Sequence, residues 1–396
     1  MFRDPRIFAI FVTLPWRREN RPHVISKKIA IVLQTPRDRQ SSVLLTYQDL
    51  AAELARRGHL VTIVTPEDFP AARQAAGRFT PLVYPFVVRS WMKQHGIGCD
   101  VVVFHSYSGW RAVAAAQGVP TVIAFHGLEP LYHEALLEAS EQSGGLSWRY
   151  RLLQERLMPF MLRTACRHAT RVICLNSLER DYLVRRGWVP ADRVDVVFHG
   201  VPPEFHLPER PSRQARTLLF VGQWLPMKGV EYLRDAFTEL AHRHGDLRLV
   251  CAGTLAPAEE VLAGFAPVVR PRVTVIPRLE RLALVDLYRD ADIMIAPSLY
   301  EGFGVALVEA MAARLAIVTT RVGVASDALT DGESALIIPT HHAQAIVREV
   351  ERLLADAGLR ERLGEAAGDV ATHYRESAAV SDLADRLIRV ARHRDS

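Results

Sequence analysis

The chain has 396 residues, of which 49% are hydrophobic and 23% charged, and its formal net charge is +5. This length is sufficient for two domains with full hydrophobic cores, and the composition is ordinary for a soluble globular protein. The positive charge is too small and too evenly spread to indicate nucleic-acid binding. Cys99, Cys166, Cys174 and Cys251 show no CxxC spacing, which indicates reduced thiols, a cytoplasmic location and no zinc site.

The first 27 residues are predicted to form an extension that precedes the folded domains. Their apolar run, residues 7–14, is too short to cross a bilayer, and no convincing small-residue cleavage site follows it. No apolar run elsewhere is long enough to span a membrane. We therefore expect a protein that is not integral to a membrane.

From residue 28 onward, apolar runs rich in β-branched residues alternate with helical patterns, for example at 44–57 and 148–167. The predicted strands are residues 28–33, 60–65, 100–105, 121–125, 171–175, 194–198, 217–221, 247–251, 273–276, 292–296, 316–319 and 335–338. Continuous apolar strands that alternate with helices are typical of parallel sheets covered on both faces. The predicted fold class is α/β, with two doubly wound, Rossmann-like domains.

A proline-rich stretch, residues 200–211, separates the two series of strands. Its four prolines predict a stiff, non-helical connector. We therefore expect a first domain over residues 28–200 and a second over 201–376, with a ligand cleft between them. Residues 377–396 carry apolar side chains at helical spacing and are predicted to form a C-terminal helix.

The segment with the strongest functional signal is residues 300–312, which follow the predicted strand at 292–296. Glu301 and Glu309 bracket a loop with two glycines at the start of a predicted helix. Ligands of open parallel sheets bind at such strand ends, and helix starts favour anionic groups. Carboxylates accept hydrogen bonds from hydroxyls. Phosphate on backbone amides and hydroxyls on carboxylates together indicate a nucleotide sugar.

The order and spacing of several motifs resemble the retaining GT-B glycosyltransferases of family 4, over nearly the whole chain from residue 28. No single motif is specific, but together they are strong. They are residues 50–59, Phe125-His126-Gly127, Leu175-Asn176-Ser177, Phe220-Val221-Gly222, Lys228-Gly229, the 301–309 segment and Asp331-Gly332.

The resemblance implies a metal-independent enzyme without a cofactor, which moves a sugar with retention from a nucleoside diphosphate sugar. The donor would bind mainly to the second domain, and the first domain would hold a saccharide, lipid-linked or small-molecule acceptor. The C-terminal helix would pack back on the first domain. Retention is explained in the family by same-face attack, in which the departing phosphate helps to deprotonate the acceptor.

The resemblance also assigns roles to individual residues. Glu301 would contact hydroxyls of the donor sugar, Glu309 the ribose and Lys228 the diphosphate, while His126 would lie near the reacting centre. The candidate catalytic residues are His126, Lys228 and Glu301. The candidate donor-binding residues are Gly222, Gln223, Lys228, Arg278, Leu279, Glu301, Gly302, Phe303, Gly304, Val305 and Glu309.

Two loops depart from the family pattern. Gln223 stands five positions before Lys228, where arginine is common in the family. A charge-assisted hydrogen bond to a phosphate oxygen is stronger than a neutral one by roughly 1–2 kcal/mol, and this difference is lost unless Arg278 or Arg321 replaces the arginine. The loop at 34–42 lacks the usual paired glycines, and its arginines favour an anionic acceptor or donor phosphate. The acceptor-side candidates are Arg37, Arg39, Ser41 and His105.

These departures leave an alternative open: a non-catalytic member of the same fold that binds a nucleotide sugar or a partner. Another GT-B activity, such as a sugar epimerase, is a further alternative. His105 and His126 could also be core histidines. Asp290 and Asp292 form a DxD sequence, but their position before a buried strand indicates a helix-to-strand junction and no metal site.

The segment 148–163 combines arginines with aromatic and aliphatic residues. A basic amphipathic helix of this kind could lie on anionic lipid, near a lipid-linked acceptor at the inner face of the membrane. The alternative is a helix whose apolar face packs on its own sheet and whose arginines are solvated. His199 stands where the family usually has asparagine before Gly200, and we expect it to affect the geometry of that turn.

Overall fold

The computed structural model describes residues 26–36, 42–70, 80–140, 148–208 and 214–392. In these ranges, the strands form two six-stranded parallel sheets with the orders β2-β1-β3-β4-β5-β6 and β12-β11-β10-β7-β8-β9. The strands are β1 Lys28–Val32, β2 Leu60–Val64, β3 Val101–His105, β4 Thr121–Ala124, β5 Arg171–Cys174, β6 Val194–Val196, β7 Thr217–Val221, β8 Arg248–Ala252, β9 Val273–Ile276, β10 Ile293–Ala296, β11 Ala316–Thr320 and β12 Leu336–Ile338. The predicted fold class is confirmed.

Helices connect the strands and cover the sheets. They are α1 Ser42–Arg56, α2 Thr80–Gln94, α3 Glu129–Ser140, α4 Trp148–Leu152, α5 Met158–His168, α6 Ser177–Arg185, α7 Val230–Arg243, α8 Ala258–Ala263, α9 Arg281–Asp290, α10 Val305–Ala312, α11 Ala325–Ala328, α12 Ala343–Ala355, α13 Ala357–Ala371 and α14 Glu376–Arg392. A π-helical turn, Leu153–Leu157, joins α4 to α5. Parallel strands need such crossovers, because a tight hairpin turn cannot connect them.

Each sheet is covered on both faces, and its strands contribute to two apolar clusters because successive side chains of a strand point in opposite directions. In β1, Ala30 and Val32 belong to one apolar cluster, whereas Ile29 and Ile31 belong to another. In β10, likewise, Ile293 packs into a different cluster from Met294. Burial on both faces explains why these strands are continuous apolar runs.

The last helix, α14, packs on the first sheet rather than the second. Its residues Leu387 and Val390 lie in the same apolar cluster as Ile29 and Ile31 of β1. Arg386 forms an ion pair with Asp195 of β6, in which the Nη1–Oδ1 distance is 2.8 Å. The chain therefore crosses back to the first sheet after the second is complete.

Asp292 has a structural role at the junction between α9 and β10. Its Oδ2 accepts hydrogen bonds from the backbone N–H groups of Arg216 and Thr217, at 2.8 and 2.9 Å. This carboxylate therefore ties the start of β7 to the start of β10. The arrangement agrees with the interpretation of the DxD sequence as a helix-to-strand junction.

Candidate functional site

A cleft between the two sheets encloses a cavity of about 620 Å³. Its walls are formed by segments that follow strands: residues 125–126 and 197–200 from the first sheet, and residues 222–223 and 301–307 from the second. The carboxyl ends of both sheets therefore contribute to one cavity, as expected for ligand sites of open parallel sheets.

Glu301 lies at the centre of the second-sheet wall and is held by two partners. Lys228 Nζ lies 2.7 Å from both carboxylate oxygens, and the Ser298 hydroxyl donates to Oε1 at 2.8 Å. Gly304, with φ of +96°, precedes the first residue of α10. This left-handed conformation favours glycine and turns the chain from the loop into the helix. The first turn of α10 thus begins four residues after Glu301.

Lys228 is positioned by the short turn that precedes α7. Gly229 has a φ of +67°, and a Cβ atom there would lie 2.0 Å from the carbonyl oxygen of Pro297. Only glycine allows the turn to approach the end of β10 this closely. The Lys-Gly pair of the sequence therefore brings the ammonium group to the carboxylate of Glu301.

Glu309 also lines the cavity, on the first turns of α10. The Tyr288 hydroxyl donates to its Oε2 at 2.9 Å. Burial raises the pKa of Glu309 to about 7, while the bond from Tyr288 lowers it. The carboxyl group can therefore be neutral or ionised near neutral pH, and in either state it can bond to a hydroxyl group.

Three histidines meet at the first-sheet side of the cleft. The ring centroid of His126 lies 5.2 Å from that of His105 and 4.9 Å from that of His199. His199 Nε2 is 3.2 Å from His126 Nδ1. Burial lowers the pKa values of His105 and His199 to about 4, and burial together with both neighbours places that of His126 well below its usual value. All three rings are therefore neutral at neutral pH.

The start of α6 contacts residues 300–304, called the donor loop after their predicted role, from the opposite side of the cleft. Asn176 Nδ2 donates to the Gly302 carbonyl oxygen at 2.5 Å. The Tyr300 hydroxyl donates to Glu179 Oε1 at 2.8 Å, and the backbone N–H of Leu128 donates to both Glu179 and the Tyr300 oxygen. The residues on both sides of Glu301 are thus bonded to the first-sheet half of the chain.

Gly302 lies at a close contact between the two halves. A Cβ atom at this position would be 2.6 Å from the carbonyl oxygen of His126 and 2.7 Å from the Cα of Gly127. Any side chain would therefore separate the donor loop from the loop that carries His126. The glycines of the 300–312 segment serve two purposes, since Gly304 permits the turn and Gly302 permits the contact.

The structure brings most of the predicted site residues together. His126 and Glu309 line the same cavity as eight other donor-side candidates, namely Gly222, Gln223, Lys228, Glu301, Gly302, Phe303, Gly304 and Val305. Arg278 and Leu279 are not among the lining residues, because they precede α9, and Arg281 at the start of that helix lines the cavity instead. His105 contacts the ring of His126 without lining the cavity. Arg37, Arg39 and Ser41 lie outside the described residues.

Sequence reasoning missed four residues that shape the cleft. Tyr47, His199 and Arg281 line it, and Tyr300 connects its two walls. For His199 the sequence pattern predicts only an effect on the turn before Gly200, although a histidine directly after a predicted strand, here 194–198, is itself a signal for a site. No local pattern marks Tyr47 or Arg281, and the 300–312 segment includes Tyr300 without indicating its contact with Glu179, because these positions depend on segments distant in sequence.

The segment 148–163 contains both residues that are buried in the core and residues that remain exposed. Met158, Met161 and Leu162 of α5 are buried against the first-sheet core, which is the packing alternative. Phe160, however, remains 56% exposed, and its ring centroid lies 5.9 Å from that of Trp110. Phe86 is 53% exposed, and its ring centroid lies 6.3 Å from that of Trp110. Within the described ranges, no helix combines the length and the apolar composition needed to cross a bilayer.

Two family models match the chain. "Glycosyltransferase Family 4" matches residues 46–205, and "Glycosyl transferases group 1" matches residues 204–370. Similar curated proteins include an alpha-D-kanosaminyltransferase of Streptomyces kanamyceticus, 29% identical over 73% of this chain and 75% of that protein. An alpha-maltose-1-phosphate synthase of Mycolicibacterium smegmatis is 30% identical over 64% of this chain and 68% of that protein.

Solved structures with the same fold include a sucrose-phosphate synthase of Thermosynechococcus elongatus. The TM-score is 0.71, with 19% identity over 92% of this chain and 98% of that chain. Anabaena Alr3699/HepE, crystallised with UDP-glucose, gives a TM-score of 0.67, with 16% identity over 92% of this chain and the whole of that chain.

Proposed function

The chain belongs to the GT-B glycosyltransferases of family 4, and we propose that it transfers a sugar, with retention, from a nucleoside diphosphate sugar to a saccharide, lipid-linked or small-molecule acceptor. The observation that carries the proposal is the arrangement around Glu301. Lys228, the first turn of α10 and Glu309 line one cavity and offer a cation, backbone N–H groups and a hydroxyl-binding carboxyl. These are the groups that a diphosphate and two sugars require.

In the proposed reaction, the bond between the sugar C1 and the diphosphate oxygen breaks, and its electron pair leaves with the phosphate. The acceptor oxygen bonds to C1 on the same face, and its proton passes to the departing phosphate oxygen. Lys228 and the first turn of α10 stabilise the leaving charge. Glu301 bonds to hydroxyls of the donor sugar, Glu309 to the ribose, and His126 lies beside the reacting carbon.

We propose that the reaction needs neither a cofactor nor a metal ion. Lys228 and the helix start supply the positive charge that a divalent cation would otherwise provide. Within the described ranges, His, Cys, Asp and Glu side chains form no group of three or more that could hold a metal. Transfer should therefore proceed unchanged in excess EDTA, and a loss of activity that Mg²⁺ or Mn²⁺ restores would contradict this proposal.

The test of the proposed function is a panel of nucleoside diphosphate sugars, assayed for binding and for slow hydrolysis without acceptor. Lys228→Ala should weaken binding of the productive donor by more than the roughly ten- to hundredfold that one charge-assisted hydrogen bond contributes, because Glu301 also loses its partner. Glu309→Ala should weaken binding as well and should lower hydrolysis. Lys93→Ala and Glu259→Ala change exposed residues away from the cleft and serve as controls.

The outcomes of this panel separate the alternatives. Hydrolysis of one donor, reduced in both cleft variants but not in the controls, supports the transferase and identifies its donor. Tight binding without hydrolysis or transfer, even with lipid-linked and sugar acceptors, favours a non-catalytic binding protein. No binding of any donor would contradict both interpretations.

We propose that the protein acts in the cytoplasm and contacts the inner face of the membrane through an aromatic patch, defined by Phe86, Trp110, Arg111 and Phe160. Arg111 lies over the rings of Phe86 and Trp110, at 4.4 and 4.9 Å from their centroids. Arg163 is exposed one turn beyond Phe160. Exposed aromatic rings beside arginines suit the interface of an anionic bilayer. Cys166, Cys174 and Cys251 are buried and form no disulfide, which suits a reducing compartment.

Sedimentation with vesicles tests the patch. The wild type should bind vesicles that contain phosphatidylglycerol, and Phe86→Ser with Phe160→Ser should reduce binding about tenfold or more, since two exposed aromatic side chains are removed. Leu282→Ser, which changes another exposed apolar residue, is the control. Equal sedimentation of wild type and double variant, or a dimer that the double variant disrupts, would overturn the membrane proposal.

A further inference from the structure

The contact between His199 and His126 is not accounted for by the proposed donor and acceptor roles. His126 follows β4 and His199 follows β6, so the two rings come from strands separated by β5. Both residues line the cleft. Their nitrogen atoms Nε2 of His199 and Nδ1 of His126 are 3.2 Å apart, which is hydrogen-bond distance.

This contact contains one proton. Burial lowers the pKa of both histidines, so both rings are neutral at neutral pH and each carries a single N–H group. A hydrogen bond between them therefore requires one ring to donate and the other to accept. The choice determines which nitrogen of His126 carries its hydrogen.

We propose that His199 is a positioning residue that donates its Nε2–H to His126 Nδ1 and thereby holds His126 as the Nε2–H tautomer. In this arrangement both rings adopt the tautomer that an imidazole side chain favours intrinsically in water. The reverse arrangement would force the less favoured Nδ1–H form on His126. His126 then presents a hydrogen-bond donor, not a base, as its remaining polar atom.

His199 is itself held by the donor loop. The ring of Phe303 meets that of His199 nearly edge-on, with centroids 5.3 Å apart and an interplanar angle of 81°. Phe303 is buried and lies between the two glycines that follow Glu301. The orientation of His126 is thus linked through His199 to the loop that carries Glu301.

The consequence for the reaction rests on the proposed function, in which His126 lies beside the reacting carbon. A donor N–H at His126 can bond to an oxygen of the donor sugar and orient it for transfer. Since His199 is proposed to act through His126, its loss should lower kcat more than it raises KM for the donor. Loss of a residue that only supported the fold would not lower kcat without a comparable change in KM.

Two variants of His199 test the inference. His199→Phe keeps an aromatic ring against Phe303 and removes the donor, and it should lower kcat about tenfold with a donor KM within about threefold of the wild type. His199→Gln places an amide N–H near the position of the imidazole Nε2–H. It should restore kcat to within about threefold of the wild type.

Nitrogen-15 NMR of histidine-labelled protein tests the tautomer without any substrate. The signals of His126 are assigned by their absence from His126→Gln. In the wild type, Nε2 of His126 should carry the hydrogen and Nδ1 should show the shift of an unprotonated acceptor; in His199→Phe, the Nδ1 signal should move.

An Nδ1–H tautomer in the wild type would overturn the inference, as would a His199→Phe protein with unchanged kcat and unchanged His126 signals. If no donor is turned over by the wild type, the proposed function fails, but the NMR spectra still decide the tautomer. If His199→Phe does not fold, the wild-type spectrum and the His199→Gln kinetics decide.

Discussion

Replacement of Tyr300 by phenylalanine tests whether the bond between the donor loop and Glu179 holds the two halves of the chain together. Phenylalanine keeps the ring, so no cavity forms. The Leu128 N–H keeps its bond to Glu179 at 2.9 Å, so no buried donor is left unpaired. The change therefore removes the 2.8 Å hydrogen bond to the buried Glu179 carboxylate and the second bond of the Leu128 N–H, which goes to the Tyr300 oxygen. The charge-assisted bond dominates, and the expected loss in the free energy of unfolding is about 2 kcal/mol.

The size of this loss should depend on pH. Burial raises the pKa of Glu179 to about 7, and the bond from Tyr300 lowers it, so the variant has the higher pKa. A carboxyl whose pKa is raised by folding contributes its full stability below its unfolded pKa and loses it as the pH rises through the folded pKa. The variant should thus be least stable relative to wild type at about pH 8, and the difference should shrink to about 1 kcal/mol at about pH 5.5, where the carboxyl is protonated.

Urea unfolding followed by tryptophan fluorescence at both pH values measures this difference. Tyr132→Phe is the matched control, because its ring lies 6.1 Å from that of Tyr300 and is 37% exposed. The control should unfold like the wild type. A loss below about 0.5 kcal/mol for Tyr300→Phe at pH 8, or an equal loss at both pH values, would refute the reasoning.

Three further predictions concern the same loop and its neighbours. Gly302→Ala should lower the rate of donor hydrolysis about tenfold or more, because its Cβ would lie 2.6 Å from the His126 oxygen, whereas Gly98→Ala, with open space around its Cβ, should be unaffected. Asn176→Asp loses the N–H that donates to Gly302 and should reduce stability in thermal unfolding by about 2 kcal/mol; an unchanged Tm would contradict this. The stability contributed by Glu309 is present below its usual pKa of 4.5 and is lost as the pH rises toward 7. Glu309→Gln should therefore flatten the decline of the free energy of unfolding, measured with urea, by on the order of 1–2 kcal/mol over that range. Parallel pH profiles of the variant and the wild type would count against this prediction.

The strands and the donor loop were predictable because their signals are local. A continuous apolar run such as 292–296 has few alternatives once helices flank it on both sides, and the observed strand, Ile293–Ala296, differs by one residue. The observed end of a strand differs more from the predicted one where the pairing with the neighbouring strand ends before the apolar run does. The run at 194–198 continues apolar beyond β6, Val194–Val196, because Val197 and Phe198 pack into the cleft wall instead of extending the strand.

Contacts across the cleft could not be predicted from local patterns. Tyr300 and Glu179 are 121 residues apart, and the bond between them exists only because the two sheets face each other. Arg281 rather than Arg278 lines the cavity for a similar reason, since the start of α9 determines which arginine meets the cleft. Sequence spacing identifies the residues of a wall, but the relative position of two walls depends on the whole fold.

The ion pair between Lys228 and Glu301 explains why the missing arginine at position 223 matters. Lys228 already neutralises one carboxylate at 2.7 Å, so the proposed diphosphate would have to share that ammonium group with Glu301. Gln223 can donate to a phosphate oxygen but adds no charge. Removal of Lys228 would leave Glu301 facing the diphosphate, two anions without a cation between them. The loss should therefore exceed that of a single hydrogen bond, and Glu301→Gln should recover part of the donor affinity that Lys228→Ala loses.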